Sequence, residues 1–383
     1  MMKTKVKTWI GLVLVIGSAC SNVTSNQPQA VEKPSVSVFD YGVLSSGKKV
    51  EQYRLVANNI KLNVITYGGI ITHLEVPDKN GVFADVVLGF DELSSYEHRN
   101  RFFGAIIGRY ANRISHGKAL IDGTEYQLST NRKPHQIHGG YQGFDKVVWQ
   151  AKSAVSANSA SLILTYTSAD QEEGYPGTLN AEVTYQIFNS GKLAVTFKAN
   201  TDKATVFNPT QHSYFNLSGT GDTVLGHRLT LHAKQMVELD DDGIPTGQLL
   251  AVKNTALDFL TPKKIGQDIN SQNKQIIIGK GYDHYFKAKH TRGELTEIAQ
   301  LYEPVSGRKL TVSTTEMGVQ LYSANYLDES VIGKNGVAYH AQQGVCLETG
   351  QMPNAPAEPA FKTLLVKPEQ PFSSTTEFVF TQH

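Results

Sequence analysis

The sequence predicts an all-β protein, built as a large antiparallel β-sandwich with few and short helices. Three observations lead to this fold class. Stretches of alternating apolar and polar residues recur along most of the chain, and glycine, asparagine and aspartate turns separate them. Helical patterns are rare and short. The chain also has no internal repeat of fixed period. Many short strands joined by turns, with almost no helix, indicate a sandwich.

The first 19 residues are predicted to be a signal peptide. Three lysines lie within the first seven residues, an apolar run spans 9–16, and small residues at 17–19 precede Cys20. The apolar run is too short to span a bilayer. A cysteine directly after such a cleavage site resembles a bacterial lipoprotein signal, in which that cysteine is lipidated. We therefore expect membrane anchoring only through a lipidated Cys20, in the periplasm or at the outer membrane facing it, with secretion as the second choice.

Residues 20–35 are predicted to form a flexible tether, because this stretch is polar and contains Asn, Gln, Ser and Pro. Cys20 and Cys346 are the two cysteines of the chain. If Cys20 carries lipid, Cys346 has no partner within the chain, which excludes a disulfide framework. Cys346 is then expected to be a small buried apolar residue.

Length and charge limit the classes of function. A chain of 383 residues allows two domains or one large β architecture, and its composition shows no linker that decides between them. The chain carries 36 basic and 35 acidic side chains. This balance leaves no excess positive field, which argues against nucleic acid as a partner.

A β-hairpin is predicted near the middle of the chain. Apolar and polar residues alternate without interruption over 179–187, a turn follows at 189–192, and the alternation resumes at 193–199. One face of this hairpin is expected to be buried. The same alternation predicts strands at 161–167, 228–233 and 309–314.

Two short helices are predicted. The first spans 91–99. The second begins at Thr261, a typical N-cap residue, with Pro262 at the first helical position.

Two segments far apart in the sequence carry groups that can transfer protons. As a strand, the first would place His212, Tyr214 and Asn216 on one face. The second would likewise place Cys346 and Glu348 on one face. A histidine can act as an acid and a glutamate as a base near neutral pH, so a facing pair could move two protons on one substrate. The alternative is that His212 is a hydrogen-bonded wall residue and Glu348 an exposed edge charge.

Further polar side chains lie among apolar, glycine-containing neighbours. Residues 103–114 contain Arg109, Asn112 and Arg113. A guanidinium in such a setting needs a partner, and its donor geometry suits a carboxylate or sugar hydroxyls. One of the two arginines is expected to pair only with an acid on a neighbouring loop.

His135 and His138 are three residues apart, which could suggest a metal site, but no third ligand of suitable spacing accompanies them. No metal is therefore predicted. The glycine pair after His138 fits a tight loop that presents the ring. Gln320 and Tyr322 would share one face of a later strand, and that polar face needs a bonding partner.

Taken together and in this order, these stretches resemble the aldose 1-epimerases, also called galactose mutarotases. The resemblance runs from about Phe39 to the C-terminus. It rests on six motifs: Gly-Arg-Tyr-Ala-Asn-Arg-Ile at 108–114, Ile-His-Gly-Gly at 137–140, Glu-Gly-Tyr-Pro-Gly at 173–177, Gln-His-Ser-Tyr-Phe-Asn-Leu at 211–217, Tyr-Asp-His at 282–284 and Cys-Leu-Glu-Thr at 346–349. It implies that 36–383 form a single domain with the galactose mutarotase-like sandwich fold.

The resemblance also implies an activity, the interconversion of the α and β anomers of free aldohexoses such as glucose and galactose. The expected partner is a small aldohexose, with no cofactor and no metal. By the family pattern, His212 is the general acid and Glu348 the general base. The same pattern implies six sugar-binding residues: Asn112, Arg113, His138, Tyr214, Asp283 and Gln320.

An acid role for His212 raises a question of protonation. An unperturbed histidine has a pKa near 6.5, so only a minority is charged at neutral pH. The role therefore requires either a raised pKa or a neutral tautomer that donates. A nearby carboxylate such as Asp283 could supply that bias.

Other functions remain open from the sequence. A sugar-binding module on the same fold would keep the binding residues but lack one of His212 and Glu348, and both are present. A glycoside hydrolase would need two carboxyl groups flanking the bond, whereas the second proton carrier here is a histidine. A hexose-phosphate mutarotase would need an added basic cluster for the phosphate.

Overall fold

A computed structural model of the protein describes residues 1–5, 7–8, 32–99, 101–219 and 221–383. The chain divides into two units, Met1–Val31 and Glu32–His383, and every element given below belongs to the second. The predicted cleavage site before Cys20 and most of the predicted tether at 20–35 lie outside the described residues.

Strands dominate the described part of the chain. They are, in chain order, β1 Ser35–Val43, β2 Lys49–Ala57, β3 Ile60–Ile65, β4 Ile71–Pro77, β5 Phe83–Asp85, β6 Ala105–Ile107, β7 Arg113–Ile114, β8 Lys118–Ile121, β9 Thr124–Gln127, β10 Gln136–Ile137, β11 Gln150–Val155, β12 Ser159–Ser168, β13 Leu179–Phe188, β14 Lys192–Thr201, β15 Thr205–Val206, β16 Thr210–His212, β17 Arg228–Leu231, β18 Gln235–Leu239, β19 Pro245–Ala251, β20 Lys263–Lys264, β21 Asp283–Lys287, β22 Thr296–Tyr302, β23 Arg308–Thr314, β24 Gly318–Tyr322, β25 Asp328–Ile332, β26 Ala338–His340, β27 Cys346–Gly350, β28 Leu365–Val366 and β29 Phe372–Gln382. The predicted hairpin is confirmed as β13 and β14, and the other three predicted strands as β12, β17 and β23.

Helical structure is limited to two short α-helices and six 3-10 turns within the described residues. The helices are α1 Leu93–His98 and α2 Lys274–Gly279. The turns are Ser115–Gly117, Phe144–Lys146, Glu172–Gly174, Val224–Gly226, Ile265–Gln267 and Lys334–Gly336. None of the helices in the described part of the chain is long and apolar enough to cross a membrane.

The helix predicted at 91–99 is confirmed as α1, but the one predicted from Thr261 is wrong. Residues 263–264 form β20, which pairs with β17 instead. The fixed φ of Pro262 is compatible with an extended chain as well as with a helix, so sheet pairing decides the conformation. The helix nearby is α2, which Asn273 caps by accepting the backbone N–H of Gln275 at 2.9 Å.

Three large sheets form the antiparallel sandwich. One has nine strands in the order β11-β12-β13-β14-β29-β23-β22-β17-β20, and two have five strands, β1-β2-β3-β4-β5 and β19-β18-β21-β24-β27. Two-stranded ribbons, among them β7-β10 and β6-β16, complete the fold. The strand pairs of all these sheets are antiparallel, which confirms the predicted fold class.

One hydrophobic core joins the three sheets. Leu62 on β3, Tyr185 on β13 and Leu321 on β24 all belong to it, and each is fully buried. Because side chains alternate along a strand, the face of β21, β24 and β27 opposite to this core is free to carry polar groups. The fold thus leaves one polar sheet face for a site.

Candidate active site

A cavity of about 360 Å³ lies over the polar face of β21, β24 and β27. This volume falls in the range of small-molecule sites, about 300–1,000 Å³. Seven of the eight predicted site residues line it: Asn112, Arg113, His138, His212, Tyr214, Asp283 and Glu348. Segments far apart in the sequence therefore meet in one place.

The strand register explains how the carboxylates reach this cavity. Gln320 on β24 lies directly opposite Glu348 on β27, and Asp283 on β21 lies opposite Tyr322. Directly opposed residues share a face, so these side chains all point away from the core. The intervening residues of the same strands, Leu321 among them, point into it.

His212 faces Glu348 from the ribbon β6-β16. Its Nε2 lies 3.5 Å from Oε1 of Glu348, and the two side chains are only 4% and 6% exposed. Although the two residues are far apart in the sequence, a histidine and a carboxylate at this distance form a pair that can exchange a proton. Water has little access to either group.

Burial shifts the two pKa values in opposite directions. It lowers the pKa of His212 to about 4, although a bond to its own backbone and the charge of Asp283 both act to raise it. Burial, assisted by the charge of Asp283, raises the pKa of Glu348 to about 8, and Arg113 offsets this only in part. The raised pKa considered for His212 is thus not found, since desolvation outweighs Asp283. At neutral pH the pair holds one proton, and burial places it on Glu348.

Asp283 sits at the centre of a polar cluster. Its Oδ2 lies 3.5 Å from Nη2 of Arg113, and its Oδ1 accepts a hydrogen bond of 2.7 Å from Nε2 of Gln320. Gln320 does not line the large cavity; it acts on the site through Asp283. Its predicted part in holding a sugar would therefore be indirect.

The ribbon β7-β10 brings Asn112, Arg113 and His138 together. Ile137 lies opposite Arg113 in the ribbon, and the backbone N–H of His138 bonds to the carbonyl of Asn112 at 3.0 Å. The backbone N–H of Asn112 in turn donates to Nδ1 of His138 at 3.2 Å. Nδ1 is therefore an acceptor, so neutral His138 carries its proton on Nε2. Burial and the neighbouring His212 hold its pKa well below the usual range, which keeps the ring neutral.

His138, His212 and Glu348 form a three-residue set whose potential metal-ligand atoms lie within 4.8 Å of one another. Sequence spacing did not reveal this set, because His212 and Glu348 lie far from His138 in the sequence. The tautomer of His138 opposes a metal there. Coordination through Nε2 would require moving its proton to Nδ1, against the N–H of Asn112, and coordination through Nδ1 would displace that bond.

Aromatic rings line the same cavity, and two of them, Phe102 and Tyr326, were not predicted. The ring of Phe102 lies 4.6 Å from that of His138 and 5.9 Å from that of His212. Tyr214 packs at 5.1 Å from His212, and its hydroxyl donates to the carbonyl of Arg101 at 2.7 Å. Phe102 directly precedes the glycine-containing stretch singled out in the sequence, but no residue pattern marked it.

Cys346 contacts His212 and was not expected to do so. Its Sγ lies 3.6 Å from Nδ1 of His212, and the thiol is fully buried, as predicted. Burial raises the pKa of Cys346 well above its ordinary value, so the thiol stays protonated. This contact helps to orient the imidazole that faces Glu348.

Some prominent polar residues have structural partners instead. The guanidinium of Arg109 donates to the hydroxyl of Ser168 and to main-chain carbonyls, including that of Pro176 at 3.1 Å. The amide of Asn216 donates to the carbonyl of Gln343 at 2.8 Å and does not line the large cavity. Glu173 accepts the backbone N–H of Gln142 at 2.8 Å. These contacts hold loops in place around the site.

Comparison with known sequences identifies related proteins. The sequence model of the family described as aldose 1-epimerase matches residues 51–379. The galactose mutarotases of Sus scrofa and Homo sapiens are each 40% identical over 349 residues, which covers 91% of this chain and 99% of theirs. The aldose 1-epimerase of Escherichia coli is 31% identical over 336 residues, 86% of this chain and 96% of its own.

Solved structures show the same architecture. A galactose 1-epimerase from Lactobacillus acidophilus superposes with a TM-score of 0.80 at 25% identity, covering 91% of this chain and 99% of that one. An aldose epimerase homologue from C. elegans gives a TM-score of 0.77, also at 25% identity and with the same coverage.

Proposed function

The chain belongs to the aldose 1-epimerase family, and on this premise we propose that it interconverts the α and β anomers of free aldohexoses such as glucose and galactose. The observation that carries the proposal is the buried pair of His212 and Glu348, 3.5 Å apart and facing one cavity. Opening a pyranose ring requires removal of the proton from the anomeric hydroxyl and addition of a proton to the ring oxygen. A pair that holds one proton supplies one base and one acid.

In the direction implied by the resemblance, the proton of the pair is on His212. His212 then protonates the ring oxygen while Glu348 takes the anomeric proton, and the bond between C1 and the ring oxygen breaks. Rotation about C1–C2 presents the other face of the aldehyde, and the two transfers run in reverse to close the ring.

Ring opening moves the proton of the pair from one residue to the other. The state with the proton on Glu348, which burial favours, is therefore the one that closes the ring: His212 takes the proton of the attacking hydroxyl while Glu348 protonates the aldehyde oxygen. A full turnover uses both states, one for opening and one for closing, and requires that the pair holds one proton in total. Each positioned acid or base contributes about 10²- to 10⁴-fold to the rate.

The remaining cavity residues are suited to hold a sugar. The Nε2–H of His138 and the guanidinium of Arg113 are donors, and Asp283 is an acceptor for hydroxyl groups. Tyr214 and Asn112 also line the cavity, and Gln320 holds Asp283 by a hydrogen bond. This mixture of donors and acceptors around a small cavity matches a polyhydroxylated ligand.

Polarimetry tests the proposal. Freshly dissolved α-D-glucose and α-D-galactose should reach their equilibrium rotation faster with the purified domain 36–383, and equally fast in the presence of a chelator. A sugar-binding module would leave the rate unchanged, and that result would overturn the proposal. Restoration of lost activity by a divalent ion after chelation would overturn the metal-free part of it.

We also propose that the protein is a lipoprotein of the cell envelope. The support is the basic start, the apolar run at 9–16 and the small residues before Cys20. The family match covers residues 51–379 and does not include this stretch. Mass spectrometry of the mature N-terminus should find a lipidated Cys20; an unmodified Cys20 or a retained Met1 would contradict it.

A further inference from the structure

A second, much smaller cavity borders Glu348. It offers about 10 Å³ to the centre of a water-sized sphere. Glu348 and Asn112 line both this cavity and the large one. A space of this size accommodates one water molecule, provided that two to four polar groups are available to bind it.

Three buried polar atoms belong to residues that line this small cavity. Among the described residues, Thr210 Oγ1, Gln320 Oε1 and Gln351 Oε1 have no hydrogen-bond partner. The three side chains are at most 5% exposed. Buried polar atoms in native proteins are nearly always bonded, either to the protein or to ordered water. Three such atoms around one cavity of one-water size indicate a shared partner.

The bonds of the two amide groups determine which of their atoms remain available. Nε2 of Gln320 donates to Oδ1 of Asp283 at 2.7 Å, and Nε2 of Gln351 donates to the carbonyl of Phe207 at 3.0 Å. Because both NH₂ groups already serve acceptors, both oxygens are left as acceptors. A molecule that serves two amide oxygens and a hydroxyl must donate two hydrogen bonds and accept one, as water does.

We propose that the small cavity holds one resident water molecule, which donates to Gln320 Oε1 and Gln351 Oε1 and accepts from the hydroxyl of Thr210. Through Gln320 this water holds Asp283 in place, and Asp283 in turn is 3.5 Å from Arg113. Thr210 and Gln351 are then positioning residues, which act on the sugar site through the water. The kinetic part of this inference rests on the proposed function.

A high-resolution crystal structure tests the site directly. Wild-type protein should show one ordered water within about 3.2 Å of all three atoms. In Thr210→Val, which keeps the shape of the side chain but removes the hydroxyl, the water peak should disappear. Thr210→Ser retains the hydroxyl and should keep the water.

Kinetics test the positioning role. In Thr210→Val, kcat/KM should fall about ten-fold, mainly through a higher KM, because the water no longer fixes Gln320, the partner of Asp283, while Glu348 keeps its strand pairing. Thr210→Ser should restore the wild-type KM. The matched control is Thr205→Val, since Thr205 is a buried threonine whose hydroxyl also has no partner among the described residues but which does not line the cavity. Its KM should not change.

Three results would count against these proposals, and they are distinguishable. No water near the three atoms in the wild-type crystal overturns the site. An unchanged KM in a folded Thr210→Val protein that lacks the water overturns the positioning role. A wild-type protein that holds the water but does not accelerate mutarotation overturns the proposed function and leaves the water site standing.

Discussion

At the scale of single residues, burial determines how the His212–Glu348 pair titrates. The pair has an acid and a base only while it holds one proton, and it does so between the two pKa values, about 4 for His212 and about 8 for Glu348. Above the upper value the pair loses its last proton, and below the lower value it gains a second one. We therefore expect a bell-shaped pH dependence of kcat/KM for mutarotation, with limbs near pH 4 and pH 8.

Polarimetric rates from pH 3 to pH 10, at sugar concentrations below KM, would measure this profile. Glu348→Gln should remove the upper limb together with most of the rate. A single limb near pH 6.5 would contradict the expectation, because it would mean that His212 titrates as an exposed histidine does.

Removing either member of the pair should lower kcat strongly. His212→Asn and Glu348→Gln are each expected to reduce kcat by about 10²- to 10⁴-fold, with sugar affinity within a few-fold of wild type. Both transfers serve one ring opening, so the double variant should lose much less than the product of the single losses. Arg113 and Asp283 substitutions should weaken binding along with the rate.

The control for this experiment is His227→Asn. Burial lowers the pKa of His227 to about 4, as it does for His212, but His227 does not line the cavity. Its loss should affect stability and leave kcat unchanged. If a folded His212→Asn protein kept most of its kcat, His212 would be a wall residue after all.

The contact of Cys346 with His212 should matter for the rate. Cys346→Ala removes the group 3.6 Å from Nδ1, so the imidazole loses a restraint, and kcat should fall several-fold with little change in KM. Cys346→Ser keeps a hydrogen-bonding group and should retain more of the wild-type kcat. Stopped-flow or polarimetric kinetics on both variants would decide; equal losses would reduce the contact to packing.

At the scale of elements, the loop after β10 is held by a close backbone approach. Gly139 has φ +86°, and a Cβ added there would overlap the carbonyl oxygen of Gly108. Gly139→Ala should therefore destabilise the protein by about 3 kcal/mol or more, from left-handed strain and overpacking together. It should also displace His138 and lower kcat/KM. Thermal unfolding and kinetics on the same preparation measure both effects.

Gly123→Ala separates strain from overlap. Gly123 has φ +83°, but a Cβ there would meet nothing within 4 Å. This variant should lose only about 1–2 kcal/mol, the cost of a left-handed alanine, and should keep full activity. Equal destabilisation by the two substitutions would show that the approach to Gly108 contributes nothing.

At the scale of the whole molecule, the site reduces stability. Glu348 is protonated in the folded protein up to about pH 8, whereas in the unfolded chain it ionises near the ordinary glutamate pKa of 4.5. Its contribution to stability is therefore fully present below pH 4.5 and is lost as the pH rises to about 8. Glu348→Gln removes this loss, so the variant should be more stable than wild type, by on the order of a few kcal/mol at pH 8. Urea unfolding at pH 5 and pH 8 would show it.

Glu303→Gln provides a control of opposite sign. Burial acts to raise the pKa of Glu303. The carboxylate, however, accepts hydrogen bonds from the backbone N–H groups of Ser306 and Val305, and these outweigh burial and lower its pKa. That carboxylate stabilises the fold above its unfolded pKa, so the variant should be less stable than wild type at pH 8. The stability gained by Glu348→Gln over wild type should be larger at pH 8 than at pH 5. An equal gain at both pH values would contradict the burial argument.

The sequence by itself determined the fold class, several of the strands and seven of the residues that line the cavity. Strict alternation over 179–187 marks a half-buried strand, because side chains alternate between the two faces of a sheet whatever the partner strand is. Six motifs in family order named His212 and Glu348. Patterns of this kind are local, so they can be read without knowing what lies opposite.

Only the tertiary structure decided how those residues behave. The pKa values of His212 and Glu348 depend on desolvation, which arises when β16 and β27 pack together. The proton on Nε2 of His138 depends on the backbone N–H of Asn112, just before β7, and pairing between β17 and β20 replaces the helix expected from Thr261. Long-range contacts set each of these outcomes, and their energies exceed the local preferences that a sequence displays.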